Sequence, residues 1–153
     1  MPGQPHSLDD LVQLIRRGDL FGGGTVLEGQ QGIGLMESVL AEWAEPDFVT
    51  VMHSESAVQE YQGIAGFREA LSDWMTPYER FRLAIDEVIV KDDKLIFLVR
   101  QLARTKHQGV EIETPSAAVW WSRGGRLNQA VFYLDQHSAL EAAGIDPDRR
   151  SGG

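Results

Sequence analysis

Cysteine is absent from the 153 residues of this sequence. Disulfide bridges and thiolate chemistry are therefore excluded, and we expect the protein to be cytoplasmic. The sequence also lacks any run near the roughly 18 consecutive apolar residues that a membrane-spanning helix needs, so we expect no membrane partner. Its first residues, MPGQPHS, show neither the basic segment nor the apolar core of a secretory signal.

Basic residues are scarce, with 14 Lys and Arg against 23 Asp and Glu and a formal net charge of −9. Because phosphate neutralisation needs concentrated Lys and Arg, we expect no nucleic-acid partner. His53, His107 and His137 lack the spacing of metal ligands, and the glycine-rich segment lacks the Lys-Ser or Lys-Thr ending of a phosphate loop. The sequence therefore predicts no metal and no cofactor.

Two helices and a loop are predicted in the first 45 residues. A capping box and an apolar stripe predict a helix over 8–17. Glycines dominate 18–34, which we interpret as a loop. Residues 35–45, LMESVLAEWAE, suit a second helix that Pro46 ends.

The remaining chain alternates between β-like and helical patterns. Residues 47–54 predict a strand, and AVQEYQG after it predicts a short partner in a hairpin. Apolar residues at helical spacing after Gly63 predict a third helix up to Pro77. From residue 79 onward the period is two, and four consecutive strands follow, with tight turns at KDDK and RGGR.

This order of elements predicts a single α+β domain over residues 1–153. Long antiparallel strands curl, so we expect a curved antiparallel sheet wrapped around three N-terminal helices, with a short C-terminal helix. Such a cone tends to leave a pocket at its open end. Residues 1–6 and 146–153 are expected to be flexible tails.

Three segments, in this order, resemble the SnoaL-like branch of the NTF2-like superfamily: YQGIAGFREALSDW (61–74), WWSRGGRL (120–127) and FYLDQHSALEAAGI (132–145). The resemblance covers about residues 35–145 and implies an NTF2-like cone. Polyketide cyclases and ketosteroid isomerases are among the members of this superfamily. The resemblance also implies a homodimer formed through the outer face of the sheet.

The resemblance implies an acid/base role for Asp135. In the polyketide cyclases an aspartate precedes, by nine residues, the glycine that closes the last helix, and Asp135 and Gly144 have this spacing. The histidine of the cyclases aligns with Ala118, and the two aspartates of the isomerases fall near Met52 and Ala117. The sequence therefore lacks the histidine of the cyclases and both aspartates of the isomerases.

Two roles for Asp135 remain open on physical grounds. A desolvated carboxylate at a pocket rim has a raised pKa and could act as a base, whereas an N-cap of the last helix has a lowered pKa. His53 is a second catalytic candidate, because imidazole titrates near neutrality. Adjacent strand residues point to opposite faces, so either Met52 or His53 faces the pocket.

In the same way, the unknown strand parity leaves undecided which residues line the pocket. If Ala117 faces inward, Glu113 and Trp121 do so too, whereas the opposite parity turns Trp120 inward. By resemblance to the epoxide hydrolases of the superfamily, Arg100 could lie between two carboxylates, Glu113 and Asp135; alternatively it is a surface residue. The candidate ligand-binding residues are Trp43, Tyr61, Trp74, Phe81, Arg100, Glu113, Trp121 and Phe132.

Two functions follow. The first is a SnoaL-like domain that binds a small hydrophobic molecule, with its chemistry unassigned. The alternative is a cofactor-independent isomerase, cyclase or hydratase in which Asp135, with His53, moves a proton on a carbonyl compound. The sequence leaves open whether the protein is an enzyme.

Overall fold

In the part of the chain that the structure describes, one curved, seven-stranded sheet packs against two complete helices on its inner face and a third on its outer face. A computed structural model describes residues 10–11, 13, 26–54 and 57–146. The elements are β1 (Val26–Glu28), α1 (Gly29–Trp43), β2 (Ala44–His53), β3 (Val58–Gln62), α2 (Gly63–Met75), β4 (Tyr78–Lys91), β5 (Lys94–Thr105), β6 (Glu111–Arg123), β7 (Arg126–Tyr133) and α3 (Gln136–Ala142). This arrangement confirms the predicted α+β cone.

The strands lie in the order β1-β4-β5-β6-β7-β2-β3. Neighbouring strands are antiparallel except β2 and β7, which are parallel. The predicted β2–β3 hairpin, the helix after Gly63 and the four-strand meander are all present. Among the described helices, none is long and apolar enough to cross a membrane.

The inner face of the sheet and helices α1 and α2 share one apolar core. Phe48 and Phe67 are fully buried there and contact each other edge to face, with ring centroids 6.4 Å apart. Both also contact the ring of Trp120 on β6, at 6.1 and 5.9 Å. Burying three large aromatic side chains together contributes strongly to stability and fixes the helices against the sheet.

A second apolar cluster lies on the outer face of the sheet. Helix α3 packs Ala139 and Leu140 against Ile96 on β5 and Val119 on β6. Ile96 and Val119 are fully buried by this contact. The C-terminal helix therefore covers the middle of the outer face.

The predicted tight turns are confirmed by backbone angles. Asp92, in the turn between β4 and β5, has φ +56°, and Gly124 and Gly125 between β6 and β7 have φ +61° and +82°. These left-handed conformations are the ones that Gly adopts without strain and that Asn and Asp tolerate.

The predicted loop over 18–34 is wrong from residue 26 onward, where β1 and α1 are found; residues 18–25 lie outside the described part. Glycine has low helix propensity, so the glycines favoured a loop. Gly32 instead allows close packing: a Cβ there would lie 2.9 Å from the Cβ of Leu27. Ile33 and Met36 of the same helix are buried in the core.

The prediction that Pro46 ends α1 is wrong. The helix ends at Trp43, and Pro46 lies within β2. The ladder between β2 and β7 is interrupted between Ala44 and Val49. Proline is tolerated there because this irregular stretch makes no regular backbone pairing with β7.

The predicted first helix over 8–17 lies outside the described residues except for Asp10, Leu11 and Gln13, which are helical. Leu11 is 1% exposed and belongs to the inner core. The predicted tails over 1–6 and 146–153 also lie outside the described residues, apart from Asp146.

Candidate functional site

An apolar cavity of about 70 Å³ opens between the inner face of the sheet and helices α1 and α2. On this scale a water molecule needs about 10–15 Å³, so the cavity has room for several waters or for part of a small organic molecule. The larger side chains in its wall include Met36, Trp74, Phe81, Phe97, Trp120, Phe132 and Tyr133.

One hydrogen-bonded polar group interrupts the apolar wall. Trp74 Nε1 donates to Gln101 Oε1 at 3.1 Å, and Gln101 Nε2 donates to Ser116 Oγ at 3.1 Å. Behind them, Gln136 Nε2 on α3 lies 3.4 Å from the carbonyl oxygens of Val99 and Ser116. The cavity thus combines apolar walls with a small, fixed set of polar atoms, as ligand sites commonly do.

Sequence reasoning did not select Gln101 and Ser116. The available signal was strand parity: Gln101 follows Phe97 and Val99 at alternate positions of β5, all three of which line the cavity. Ser116 likewise shares its face of β6 with Trp120. A polar residue that continues an inward-facing apolar row is a candidate for the polar end of a pocket.

Tyr133 is the one titratable side chain in the described wall of the cavity. Burial raises its pKa, so the phenol is neutral at physiological pH. Its ring stacks on His53 with centroids 4.8 Å apart. Among the residues that the structure describes, no group of His, Asp and Glu is arranged to hold a metal ion.

Asp135 caps helix α3. Its Oδ1 accepts from the backbone N–H of Ser138 at 2.8 Å, and its Oδ2 accepts from the Ser138 hydroxyl at 3.0 Å. The backbone hydrogen bond from Ser138 is the main cause that lowers the pKa of Asp135. The carboxylate is exposed and does not line the cavity. The N-cap interpretation is confirmed, and the lowered pKa opposes a role as a general base.

His53 lies outside the cavity. Met52 is in register with Phe132 of β7, which lines the cavity, and side chains at paired positions of neighbouring strands share a face. Met52 therefore points inward and His53 lies on the opposite face of β2, where its ring stacks on that of Tyr133. The structure does not bring His53 and Asp135 together in the cavity wall.

The inward placement of Trp121 and Glu113 is wrong. Trp120 belongs to the inner core, whereas Trp121 lies on the outer face with Lys94 Nζ 5.0 Å from its ring centroid. The β5–β6 ladder runs without a shift from Glu111 to Trp121, so the proline within it creates no bulge. Glu113 is accordingly exposed, with 62% of its side chain accessible.

Arg100 lies between two carboxylates on the outer face of the sheet. Its Nε is 2.9 Å from Asp86 Oδ2, and its Nη1 is 3.9 Å from Glu113 Oε2. Asp86 takes the place that the resemblance suggested for Asp135. Because Val99 and Gln101 on either side line the cavity, Arg100 points away from it.

Three of the predicted ligand-binding residues, Trp74, Phe81 and Phe132, line the cavity. Trp43 is 3% exposed but lies in the core outside the cavity wall. Tyr61 lies on the edge strand β3, where its hydroxyl donates to Gln59 Oε1 at 2.9 Å. The five predicted ligand-binding residues that lie outside the cavity wall are therefore Trp43, Tyr61, Arg100, Glu113 and Trp121.

Solved structures with the same fold are similar to this chain over nearly its whole length. A protein from Jannaschia sp. CCS1, provisionally assigned as a SnoaL-like polyketide cyclase, is 16% identical with a TM-score of 0.61, over 94% of this chain and 99% of the other. A hypothetical protein from Catenulispora acidiphila with a ketosteroid isomerase-like fold, in complex with trimethylamine, is 13% identical with a TM-score of 0.56, over 94% and 98%.

A third similar structure is TerC co-crystallised with polyporic acid, 18% identical with a TM-score of 0.57, over 87% of this chain and 97% of the other. No family model matches the sequence, and no curated protein matches it significantly. The chain therefore has the NTF2-like fold of the SnoaL-like and ketosteroid isomerase-like proteins. At these identities the fold leaves the activity to be argued from the cavity itself.

Proposed function

We propose that the protein binds a small, uncharged hydrophobic molecule in the cavity of the cone. The observation that supports this is the wall itself: aromatic and aliphatic side chains surround the Trp74, Gln101 and Ser116 group, and the described wall contains no charged side chain. A buried charge without a partner is costly, so such a wall favours a neutral ligand.

The similar structures support the proposal in a limited way. The Catenulispora protein is in complex with trimethylamine, and TerC was crystallised with polyporic acid. Both are organic molecules held by proteins of this fold. The fold is thus compatible with binding organic molecules, and the lining of this chain sets the preference.

The alternative function, proton transfer by Asp135 with His53, has less support. Asp135 is committed to the α3 N-cap and its pKa is lowered. His53 and Asp135 are both outside the cavity wall. We therefore propose binding without an acid/base role for these two residues.

The indole N–H signals of the four tryptophans provide a direct test. We expect titration with cumene (isopropylbenzene) to shift the ¹⁵N–¹H signals of Trp74 and Trp120, whose rings line the cavity. Trp43 and Trp121 lie outside the wall and serve as internal controls. Binding elsewhere would instead move the control signals, and no shift at any tryptophan would contradict the proposal.

A matched pair of variants tests the location. Ala118→Leu adds three carbon atoms at a position that is 5% exposed in the cavity wall, so it should abolish the cumene shifts. Ala142→Leu makes the same change on the exposed face of α3 and should leave them intact. Overpacking can lower the free energy of unfolding by about 1–3 kcal/mol. A cooperative thermal unfolding transition is therefore needed to show that Ala118→Leu is folded.

We also propose that the protein forms a homodimer through the outer face of the sheet. Outside the area covered by α3, this face carries opposite charges side by side, including Arg104 Nη2 4.0 Å from Glu111 Oε1 and the pair of Arg100 with Asp86. A surface that carries both signs can be complementary to its own copy across a two-fold axis.

A further inference from the structure

We infer that Gln101 and Ser116 make the cavity selective for ligands that carry a hydrogen-bond acceptor, an inference that rests on the proposed binding function. Both residues lie in the cavity wall. The preferred ligand class is a neutral apolar molecule with an exposed oxygen acceptor, such as a ketone, ester or ether. The selectivity depends on which hydrogen atoms of these two side chains are not already donated to the surrounding protein.

Trp74 determines which way the Gln101 amide points. An indole N–H can only donate, so the Gln101 atom at 3.1 Å from Trp74 Nε1 must be the carbonyl oxygen Oε1. The amide nitrogen Nε2 therefore faces Ser116, where it donates to Oγ at 3.1 Å. A flipped amide would place two donors against each other and leave the indole N–H without an acceptor.

Counting hydrogen atoms shows what remains available for a ligand. The Gln101 NH₂ group has two N–H donors and uses one on Ser116. Ser116 Oγ accepts that bond, which leaves its own O–H free to rotate toward another acceptor. In the described part of the chain, neither the second N–H nor this O–H makes another hydrogen bond within the protein.

The surroundings make these two donors selective. Ser116 is 3% exposed, and its backbone carbonyl is held by Gln136 from α3. An acceptor oxygen on the ligand can satisfy the free donors, whereas a pure hydrocarbon would displace water and leave them unpaired. A carboxylate would also accept, but the described wall offers no cation to offset the cost of burying its charge.

Three probes with equal numbers of non-hydrogen atoms separate these cases: acetophenone, cumene and benzoate. Their affinities are measured by the Trp74 indole shift in the wild-type protein and in Gln101→Met. Methionine has nearly the length of glutamine but no amide, so it preserves the shape of the wall. Hydration differs between the probes, but this difference cancels when the affinity ratio is compared between proteins.

We expect the ratio of acetophenone to cumene affinity to fall about tenfold in Gln101→Met, the value of one buried hydrogen bond. Ser116→Ala should lower the ratio less, about threefold, because it removes the Ser116 O–H but frees the Gln101 N–H that Ser116 accepts. Gln108→Met, in the exposed turn after β5, is the matched control and should not change the ratio. Benzoate should not bind measurably to the wild-type protein.

An unchanged ratio in Gln101→Met and Ser116→Ala, with both hydrocarbon and ketone still binding, would overturn the inference and leave the proposed function in place. Binding of benzoate as tight as that of acetophenone would overturn the preference for neutral ligands. If none of the probes shifts the Trp74 signal, the proposed function itself fails. If Gln101→Met does not fold, Ser116→Ala, which removes a single oxygen atom, decides the question.

Discussion

Two hydrogen bonds from Ser138 hold the Asp135 side chain at the start of α3. A general base must bind a proton reversibly near neutral pH, and stabilising the ionised carboxylate works against this. At the scale of single residues, the same aspartate therefore serves the helix and is poorly suited to proton transfer. Replacing Asp135 should therefore change the free energy of unfolding.

We predict that Asp135→Ala lowers the free energy of unfolding at pH 7 by about 1 kcal/mol, the usual value of a lost N-cap. Asp135→Asn should lose only a small part of this, because asparagine caps nearly as well. Urea unfolding of the three proteins provides the measurement. Equal losses in both variants would show that charge, rather than capping, is what the helix requires.

The stabilisation by Asp135 should also depend on pH. The pKa of Asp135 in the folded protein lies below its ordinary value of 3.8, so the stabilisation is complete above that value. It is lost as the pH falls through the lower folded-state pKa. The stability difference between wild type and Asp135→Ala should therefore shrink only in strongly acidic solution; a difference that disappears between pH 5 and 7 would contradict the assignment.

The sequence predicted the placement of a residue where local position decides it, and failed where strand parity decides it. Asp135 as an N-cap followed from its position before a short helical segment. Trp120 and Trp121 are chemically equivalent neighbours, and the choice between them depends on the ladder across β5 and β7, which no local pattern contains. Gln101 and Ser116 were missed for the same reason.

Helix α1 shows how tertiary contacts decide the structure of a whole element. Three of its residues within 29–34 are glycines, which are unfavourable in a helix, yet the buried residues Ile33, Met36 and Leu40 pack the helix against the core. By contrast, α2 and the meander had strong apolar periodicity and no such conflict, which is why the sequence alone predicted them.

Two glycines of α1 should respond in opposite directions to alanine. Around Gly34 there is open space, so Gly34→Ala should stabilise the protein by up to about 1 kcal/mol through helix propensity. At Gly32 the added Cβ would lie 2.9 Å from Leu27 Cβ and 3.1 Å from its carbonyl carbon. We expect Gly32→Ala to destabilise by about 1–3 kcal/mol, as overpacking does.

Urea unfolding checks both glycine variants under identical conditions. Because the two substitutions are the same and lie in the same helix, their difference isolates the contact with Leu27. If both variants gained stability equally, β1 would not be packed against α1 as the structure has it.

At the scale of the whole molecule, the proposed homodimer predicts a mass of twice 17.0 kDa in light scattering at low salt. Arg104→Glu should give the mass of one chain, because it makes this part of the outer face acidic, so that two copies of the face repel each other across the proposed interface. Lys106→Glu makes the same change in charge in the exposed turn after β5 and should leave the dimer intact. A single-chain mass for the wild-type protein would contradict the proposal.

The overall cone was predictable because the order of helices before a meander leaves few ways to bury the apolar faces. What the pattern did not contain is the pairing of β2 with β7, which joins residues about 80 positions apart, such as Val51 and Val131. Contacts of this kind depend on the register of the whole sheet. They also set the strand order in which the cavity is formed.

The place of β7 in the sheet has a consequence for the chain during synthesis. β7 fills the gap between β6 and β2, so a nascent chain without residues 126–133 holds two separate strand groups, β2–β3 and β1-β4-β5-β6. Each group then has an additional unpaired edge that can pair with another nascent chain. The last strand of the sheet is thus the one that removes both open edges and ends the period in which aggregation competes with folding.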